Sequence, residues 1–159
     1  MSSGFVYDGD NIVQELTGTD TSNSNTAAVR ASYISGGIDE VFAQTSGSGA
    51  SAKTLTYLSD ALGSTLRLVD AAGNKVVDYT YDPYGNTTAD STINNAFQYT
   101  GRENDGTGLY YYRARYYAPN LARFVQSDPI GLAGGINTYG AVSSTKRNTG
   151  LINSVGRML

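Results

Sequence analysis

With no Cys and no His, this 159-residue chain must do any chemistry with carboxylates, Tyr, Lys and hydroxyl groups. Thiolate sites, disulfides, imidazole bases, Ser-His triads and most zinc sites are thereby excluded, and neither a metal nor a cofactor is expected. Three groupings remain whose residue types and spacing could matter. The run Tyr110, Tyr111, Tyr112, Arg113, Arg115, Tyr116, Tyr117 supplies rings that can fill a core or offer a stacking face to a sugar or a partner strand. Within it, Arg113 and Arg115 at strand spacing share one face, suited to cation–π and ion-pair packing or, less simply, to a phosphate. The third grouping is Asp128-Pro129-Ile130-Gly131, whose Asp can cap a turn or a helix start and whose Pro suits the first helical position. Hydrolysis by carboxylates needs two of them around one water, and no Asp or Glu follows Asp128. Glu103 and Asp105 lie upstream, in a Gly101 to Thr107 segment that reads as a turn.

The elements that must position these groups read as short strands. Phe5 to Leu16 is two β-compatible runs around an Asp/Gly/Asn cluster, a hairpin pattern. Residues 17–27 are small, polar and aperiodic, which predicts a loop. Val29–Ile34 and Ile38–Gln44 form a second hairpin around Ser35-Gly36-Gly37, glycines suited to positive φ. Thr45 to Ala52, rich in Ser and Gly, predicts another loop before Leu55-Thr56-Tyr57-Leu58. Leu66 and Leu68, then Val77, Tyr79 and Tyr81, fall at period two on either side of Asp70-Ala71-Ala72-Gly73-Asn74, so a third hairpin is expected with one apolar face. Asp82-Pro83-Tyr84-Gly85 has the residues a type I turn prefers. Leu151, Ile152, Val155 and Leu159 have roughly helical spacing in a tail too short to support a stable helix alone.

Composition points the same way. Nineteen Gly, thirteen Tyr and only 16% charged residues favour strands and turns over long surface helices, so the expected class is all-β with little helix. A formal charge of −3 argues against a nucleic-acid binder. Met1 to Asp8 shows neither a basic region nor an apolar run, so no signal peptide is read here, and no stretch suggests a membrane span.

Tyr-Asp recurs at Tyr7-Asp8 and Tyr81-Asp82, each followed by Gly, Asn and strand-like residues. Together with Gly108-Leu109-Tyr110-Tyr111, Arg113-Ala114-Arg115-Tyr116-Tyr117, Arg123-Phe124, Asp128-Pro129-Ile130-Gly131-Leu132, Gly134-Gly135 and Asn137-Thr138-Tyr139, this resembles the core-associated motif that closes an Rhs/YD-repeat protein. The family comprises large secreted shells that carry polymorphic toxins. The resemblance spans most of Tyr57 to Tyr139, with Tyr7-Asp8 and composition alone before it. It implies successive antiparallel hairpins forming a strip of a β-shell: YD-repeat-like hairpins over 1–56, an RHS repeat-associated core over 57–142 and a divergent tail over 143–159.

The implied function is structural, a shell segment that encloses or presents a C-terminal effector polypeptide. The implied partners are the remainder of such a shell, or other copies of this chain, and that effector. The implied location is secreted or at the cell surface, within a larger toxin system. By the same resemblance, Asp128 matches a catalytic carboxylate of an aspartyl autoprotease that releases the toxin, and Arg123 the basic residue near it. That pattern has a second Asp-Pro-x-Gly turn after Asn-x-Tyr, which this sequence lacks, so Asp128 is expected to cap its turn or pair with Arg123 without cutting the chain. Ala118-Pro119-Asn120-Leu121-Ala122 also departs from the pattern, which has Asp first and Gly last. Two alternatives stand beside the structural reading: an intact autoprotease, and a carbohydrate- or partner-strand-binding module. Open sheet edges further predict that the isolated chain self-associates.

Overall fold

The structure is a computed structural model that describes residues 2–9, 11–18, 28–37, 40–47, 49–93, 95–104 and 106–141. The predicted loop at 19–27, Asp105 and the tail over 143–159, with its helical spacing, lie outside the described residues. The architecture is all-β: among the described residues there are twelve strands, antiparallel wherever pairing is defined, with only 3-10 turns of three or four residues besides. It divides into two compact units, one built from Met1–Leu58 and Arg67–Asp78, the other from Ser59–Leu66 and Tyr79–Leu159.

In the first unit, β1 (Ser2–Asp8), β2 (Asn11–Gly18), β3 (Ala28–Ser35), β4 (Val41–Ser46) and β5 (Lys53–Ser59) follow one another in chain order. β1 turns into β2 through Gly9 at φ 60°, so the Asp/Gly/Asn cluster folds the first hairpin as its sequence predicts. The second hairpin also forms, but for a different glycine reason. Neither Gly36 nor Gly37 adopts positive φ; a Cβ on Gly36 would stand 2.6 Å from the Phe42 ring, so the position needs space. Thr45 and Ser46, read as loop, continue β4 and pair with Thr54 and Lys53, and the Thr45 and Thr54 hydroxyls lie 3.0 Å apart. Cross-strand partnering of two β-branched residues outweighs the loop-like composition here.

The buried face of this unit carries polar side chains that are paired. Glu15 is buried on β2 and accepts Arg30 Nη1 at 2.8 Å and the Tyr33 hydroxyl at 3.2 Å. Gln44 is buried on β4 and accepts the Tyr57 hydroxyl at 2.8 Å. Tyr33 lies directly opposite Gln44, so two Tyr rings supply the apolar filling while their hydroxyls satisfy the polar groups below. Leu68 and Val77 face each other across β6 (Thr65–Val69) and β7 (Lys75–Tyr81) and are fully buried. Leu66 departs from the period-two expectation and is 44% exposed, because burial along β6 runs Thr65, then Leu68, rather than alternating.

The second unit holds β8 (Thr87–Ala89), paired with the end of β7, and a four-stranded sheet in the order β12-β11-β10-β9. Its strands are β9 (Glu103–Asn104), β10 (Tyr110–Tyr111), β11 (Tyr116–Ala118) and β12 (Arg123–Phe124). Glu103 is therefore a strand residue opposite Tyr111 and not part of a turn. Tyr110, Tyr112, Tyr117 and Phe124 make the core. The last three meet edge-to-face with centroids 5.7–5.8 Å apart, the arrangement ring quadrupoles prefer.

One turn chemistry recurs. At Asp60, Asp70 and Asp82 the carboxylate accepts the backbone N–H groups two and four residues on, and the residue three on is Gly at φ 82–88°. Each backbone closes with the Gly N–H donating to the Asp carbonyl. The type I turn expected at Asp82 is thus one copy of an Asp-x-x-Gly device that ends three successive strands, β5, β6 and β7.

Candidate functional site: an arginine clamp on the Asp-Pro turn

The segment expected to hold Arg113 and Arg115 on one strand face is a hairpin turn instead. β10 and β11 pair Tyr110 with Tyr117 and Tyr111 with Tyr116, and the chain reverses at Tyr112–Arg115, where the Tyr112 N–H donates to the Arg115 carbonyl at 2.8 Å. Arg113 takes a left-handed φ of 58° at the bend. The reversal separates the two arginines: Arg113 sits in the turn and Arg115 points into the core, 2% exposed.

Arg115 is there the centre of a clamp. Its guanidinium lies 3.8 Å from the Phe124 ring centroid, its Nη2 is 3.0 Å from Asp128 Oδ2, and its Nη1 donates to the Thr138 carbonyl at 3.1 Å. One side chain thus stacks on β12 and ties both ends of the segment from Asp128 to Thr138. The backbone repeats the tie, because the Asp128 N–H donates to Thr138 O at 2.8 Å and the Phe124 N–H to Tyr139 O at 3.1 Å. Arg suits this position: its planar fork serves a carboxylate and a carbonyl at once while its face stacks on a ring.

Asp128 uses its other oxygen for the turn. Oδ1 accepts the Ile130 N–H at 3.1 Å, and Gly131, at φ 60°, donates its N–H to the Asp128 carbonyl at 2.9 Å. This is the Asp-x-x-Gly device again, with Oδ2 turned to Arg115. The carboxylate caps its turn as the sequence predicts, but its ion pair is with Arg115 and not with Arg123. Arg123 is exposed on β12, opposite Ala118 and bridged to Gly140. The pairing with Arg115 was hidden from sequence because nothing marks Arg113 as a left-handed residue. A readable signal does exist in the matched Tyr110-Tyr111 and Tyr116-Tyr117 pairs flanking four residues, the layout of two facing strand arms.

The rings of the Tyr run are mostly committed inward. Tyr110, Tyr112 and Tyr117 are buried, and burial raises the pKa of each, that of Tyr117 to about 12. The Tyr112 hydroxyl lies 2.6 Å from Thr100 Oγ1, and the Tyr117 hydroxyl donates to the Tyr84 carbonyl at 2.9 Å. Arg102 covers the Tyr112 ring at 4.8 Å. Among the described residues no group of three or more Asp or Glu is placed to hold a metal ion.

The chain is similar to parts of several much larger proteins. The chain is 38% identical over 92 residues to toxin subunit YenC1 of Yersinia entomophaga, covering 54% of this chain and 9% of that protein. It is 33% identical over 132 residues to the tRNA3(Ser)-specific nuclease WapA of Bacillus spizizenii, covering 80% of this chain and 5% of that protein. The fold superposes on the crystal structure of TcdB2-TccC3-Cdc42 with a TM-score of 0.60 and 27% identity, over 80% of this chain and 7% of that one. No family model matches the chain. The chain spans less than a tenth of the length of these relatives. These relations and the all-β fold support an Rhs/YD-repeat domain.

Proposed function

We propose that the chain is a structural segment of an Rhs-type toxin shell that encloses or presents a C-terminal effector polypeptide, and that it does not cut itself. In this reading 1–56 are YD-repeat hairpins, 57–142 the core that finishes the wall and 143–159 a divergent tail. Its partners are the rest of the shell and the effector, and its setting is a secreted or cell-surface toxin system. The observation that carries the reading is the state of Asp128. One oxygen is taken by a buried guanidinium and the other by the turn it caps, so the group is built in as a fastening. An aspartyl protease requires two carboxylates sharing a proton over one water, and the sequence offers no second Asp or Glu downstream. The Tyr run supports a wall in the same way, because Tyr110, Tyr112 and Tyr117 are spent on the core.

The test is intact mass. Purified protein incubated from acid to neutral pH beside Asp128→Asn is expected to keep its full mass in both cases. A fragment formed by the parent and abolished by Asp128→Asn would overturn the inert reading and establish the autoprotease.

A further inference from the structure

With thirteen Tyr and neither Cys nor Trp, the side chains that compete most readily for one-electron oxidation, this sequence directs such oxidation to tyrosine. A tyrosine that loses an electron must also shed its hydroxyl proton, so a lasting radical forms where water can take that proton. The core rings offer no such exit. Tyr81 and Tyr117 donate to the backbone carbonyls of Thr65 and Tyr84, and the Tyr112 hydroxyl meets Thr100 Oγ1; neither a carbonyl nor a hydroxyl is a base at neutral pH. Tyr111 and Tyr116 stand apart. Side chains alternate across β10 and β11, so these two lie half-buried on the face opposite Tyr110 and Tyr117, and among the described residues neither hydroxyl has a hydrogen-bond partner.

The two rings are cross-strand partners, with centroids 5.2 Å apart and planes tilted by 47°. The backbone sets them at the closer of the two antiparallel spacings. The Tyr112 N–H donates to the Arg115 carbonyl, whereas Tyr116 turns away from β10, accepting the Val125 N–H on its carbonyl and donating its own N–H to Gln126 Oε1. Tyr111 and Tyr116 are therefore a non-hydrogen-bonded pair, in which Cα atoms stand about 4.5 Å apart and side chains come closest. By contrast Tyr112 and Tyr117 meet edge to face at 5.8 Å, with one ring edge aimed at the other ring's face.

We propose that Tyr111 and Tyr116 are a dityrosine site: under a one-electron oxidant of the haem peroxidase class, driven by hydrogen peroxide, the rings join through the carbons ortho to their hydroxyls. Each ring gives up one electron and its hydroxyl proton. The two radicals pair to form a Cε–Cε bond, after which each ring loses its Cε hydrogen as a proton and regains a proton on oxygen. In sum two electrons and two protons leave the pair, and they reduce one hydrogen peroxide to two waters. The bond ties the two arms of the hairpin whose turn carries Arg115 to Asp128, and gives a Cys-free chain the restraint on its unfolded state that a disulfide would supply. The geometry is internal to one sheet and rests neither on the shell reading nor on the state of Asp128.

The test uses the full chain, kept dilute and treated with a haem peroxidase and hydrogen peroxide. The expected product is a monomer lighter by two hydrogen atoms that shows dityrosine fluorescence. Trypsin cuts after Arg113 and Arg115, between the two rings, so peptides 103–113 and 116–123 should stay joined, and fragmentation of the joined pair should place the bond at Tyr111 and Tyr116. Tyr111→Phe and Tyr116→Phe, each lacking one phenol, should each abolish the joined peptides, whereas Tyr84→Phe, which removes an exposed phenol elsewhere, should leave their yield unchanged. Far-UV circular dichroism separates lost coupling from lost folding, and if a Phe variant does not fold, the fragment ions of the parent decide alone. The cross-linked monomer is expected to unfold at a higher denaturant midpoint than the untreated chain. Coupling only between molecules, an oxidised monomer without joined peptides, a bond placed at Tyr110, Tyr112 or Tyr117, or joined peptides that persist in both Phe variants would each overturn the site, and an unchanged midpoint would overturn the restraint.

Discussion

Gly85 lies flat against the ring of Tyr99. A Cβ on Gly85 would stand 2.7 Å from both Cγ and Cε1 of Tyr99 and closer still to Cδ1, and the residue holds φ 88°. The ring cannot simply yield, because its hydroxyl donates to the Pro83 carbonyl at 3.2 Å and it packs between Tyr81 and Tyr110. Tyr117 donates to the next carbonyl, that of Tyr84, so two tyrosines hold the Asp82 turn by consecutive backbone oxygens. Gly85→Ala is therefore expected to cost about 2–4 kcal/mol, from left-handed strain together with overpacking. Pro83→Ala, which keeps every carbonyl, should cost only about 0.4–1 kcal/mol through the unfolded chain. Denaturant melts of the two variants side by side check both the size and the order.

Ala122 offers the opposite case. It closes the 3-10 turn Pro119–Leu121 at φ 52°, where each Asp-x-x-Gly turn of the chain places glycine. The sequence departure at this position is thus a backbone strain that the fold carries. Ala122→Gly is expected to stabilise the protein by about 0.5–1 kcal/mol, since relief of left-handed strain exceeds the extra unfolded-state entropy. A higher denaturant midpoint at unchanged slope is the expected reading, and a lower midpoint would refute it.

The same comparison shows which parts of the molecule the sequence discloses. Hairpins closed by Asp-x-x-Gly are legible because their signals are local: a carboxylate that reaches its own turn and a glycine that tolerates positive φ. Asp128 as a cap was readable for that reason. Its ion pair was not, since whether Arg115 or Arg123 reaches it depends on Arg113 bending left-handed, and Arg carries no such preference. Glu15 escaped for a related reason. Its burial is decided by Arg30 and Tyr33, which stand 15 and 18 residues away on the neighbouring strand. Leu66 misled because period two assumes a uniformly alternating strand, and β6 does not alternate.

Arg115 tests the clamp. Replacing it with Ala would uncover the Phe124 face, leave the Thr138 carbonyl with the Asp128 N–H alone and leave the Asp128 carboxylate with its turn N–H alone. Breaking one side of a largely buried ion pair costs about 3–5 kcal/mol, and Arg115→Lys should recover little, because an ammonium cannot fork between a carboxylate and a carbonyl while stacking. Thermal unfolding of parent, Arg115→Lys and Arg115→Ala is expected to rank in that order, with both variants well below the parent. Hydrogen exchange should localise the loss to the amides of Phe124 and Asp128, whose acceptors lie on the tied segment.

Alkaline pH should unfold the second unit through its tyrosines. Burial is the leading cause that raises the hydroxyl pKa of Tyr79, Tyr81, Tyr99, Tyr110, Tyr112 and Tyr117 above the ordinary tyrosine value of about 10, for Tyr117 to about 12. Each of these groups is neutral in the folded core and ionises more readily once exposed. A folded pKa above the unfolded one contributes stability that is complete below pH 10 and is lost as pH rises through the folded value. Stability should therefore be flat towards neutral pH on this account, then fall steeply between about pH 10 and 12. Tyrosinate absorbance and circular dichroism recorded together should change in one cooperative step over that window. Tyr112→Phe removes one ionising group together with its contact to Thr100 Oγ1, so it should lower stability near neutral pH and reduce its steepness of decline above pH 10. Gradual tyrosinate formation with the sheet signal intact would show that these hydroxyls reach solvent without unfolding.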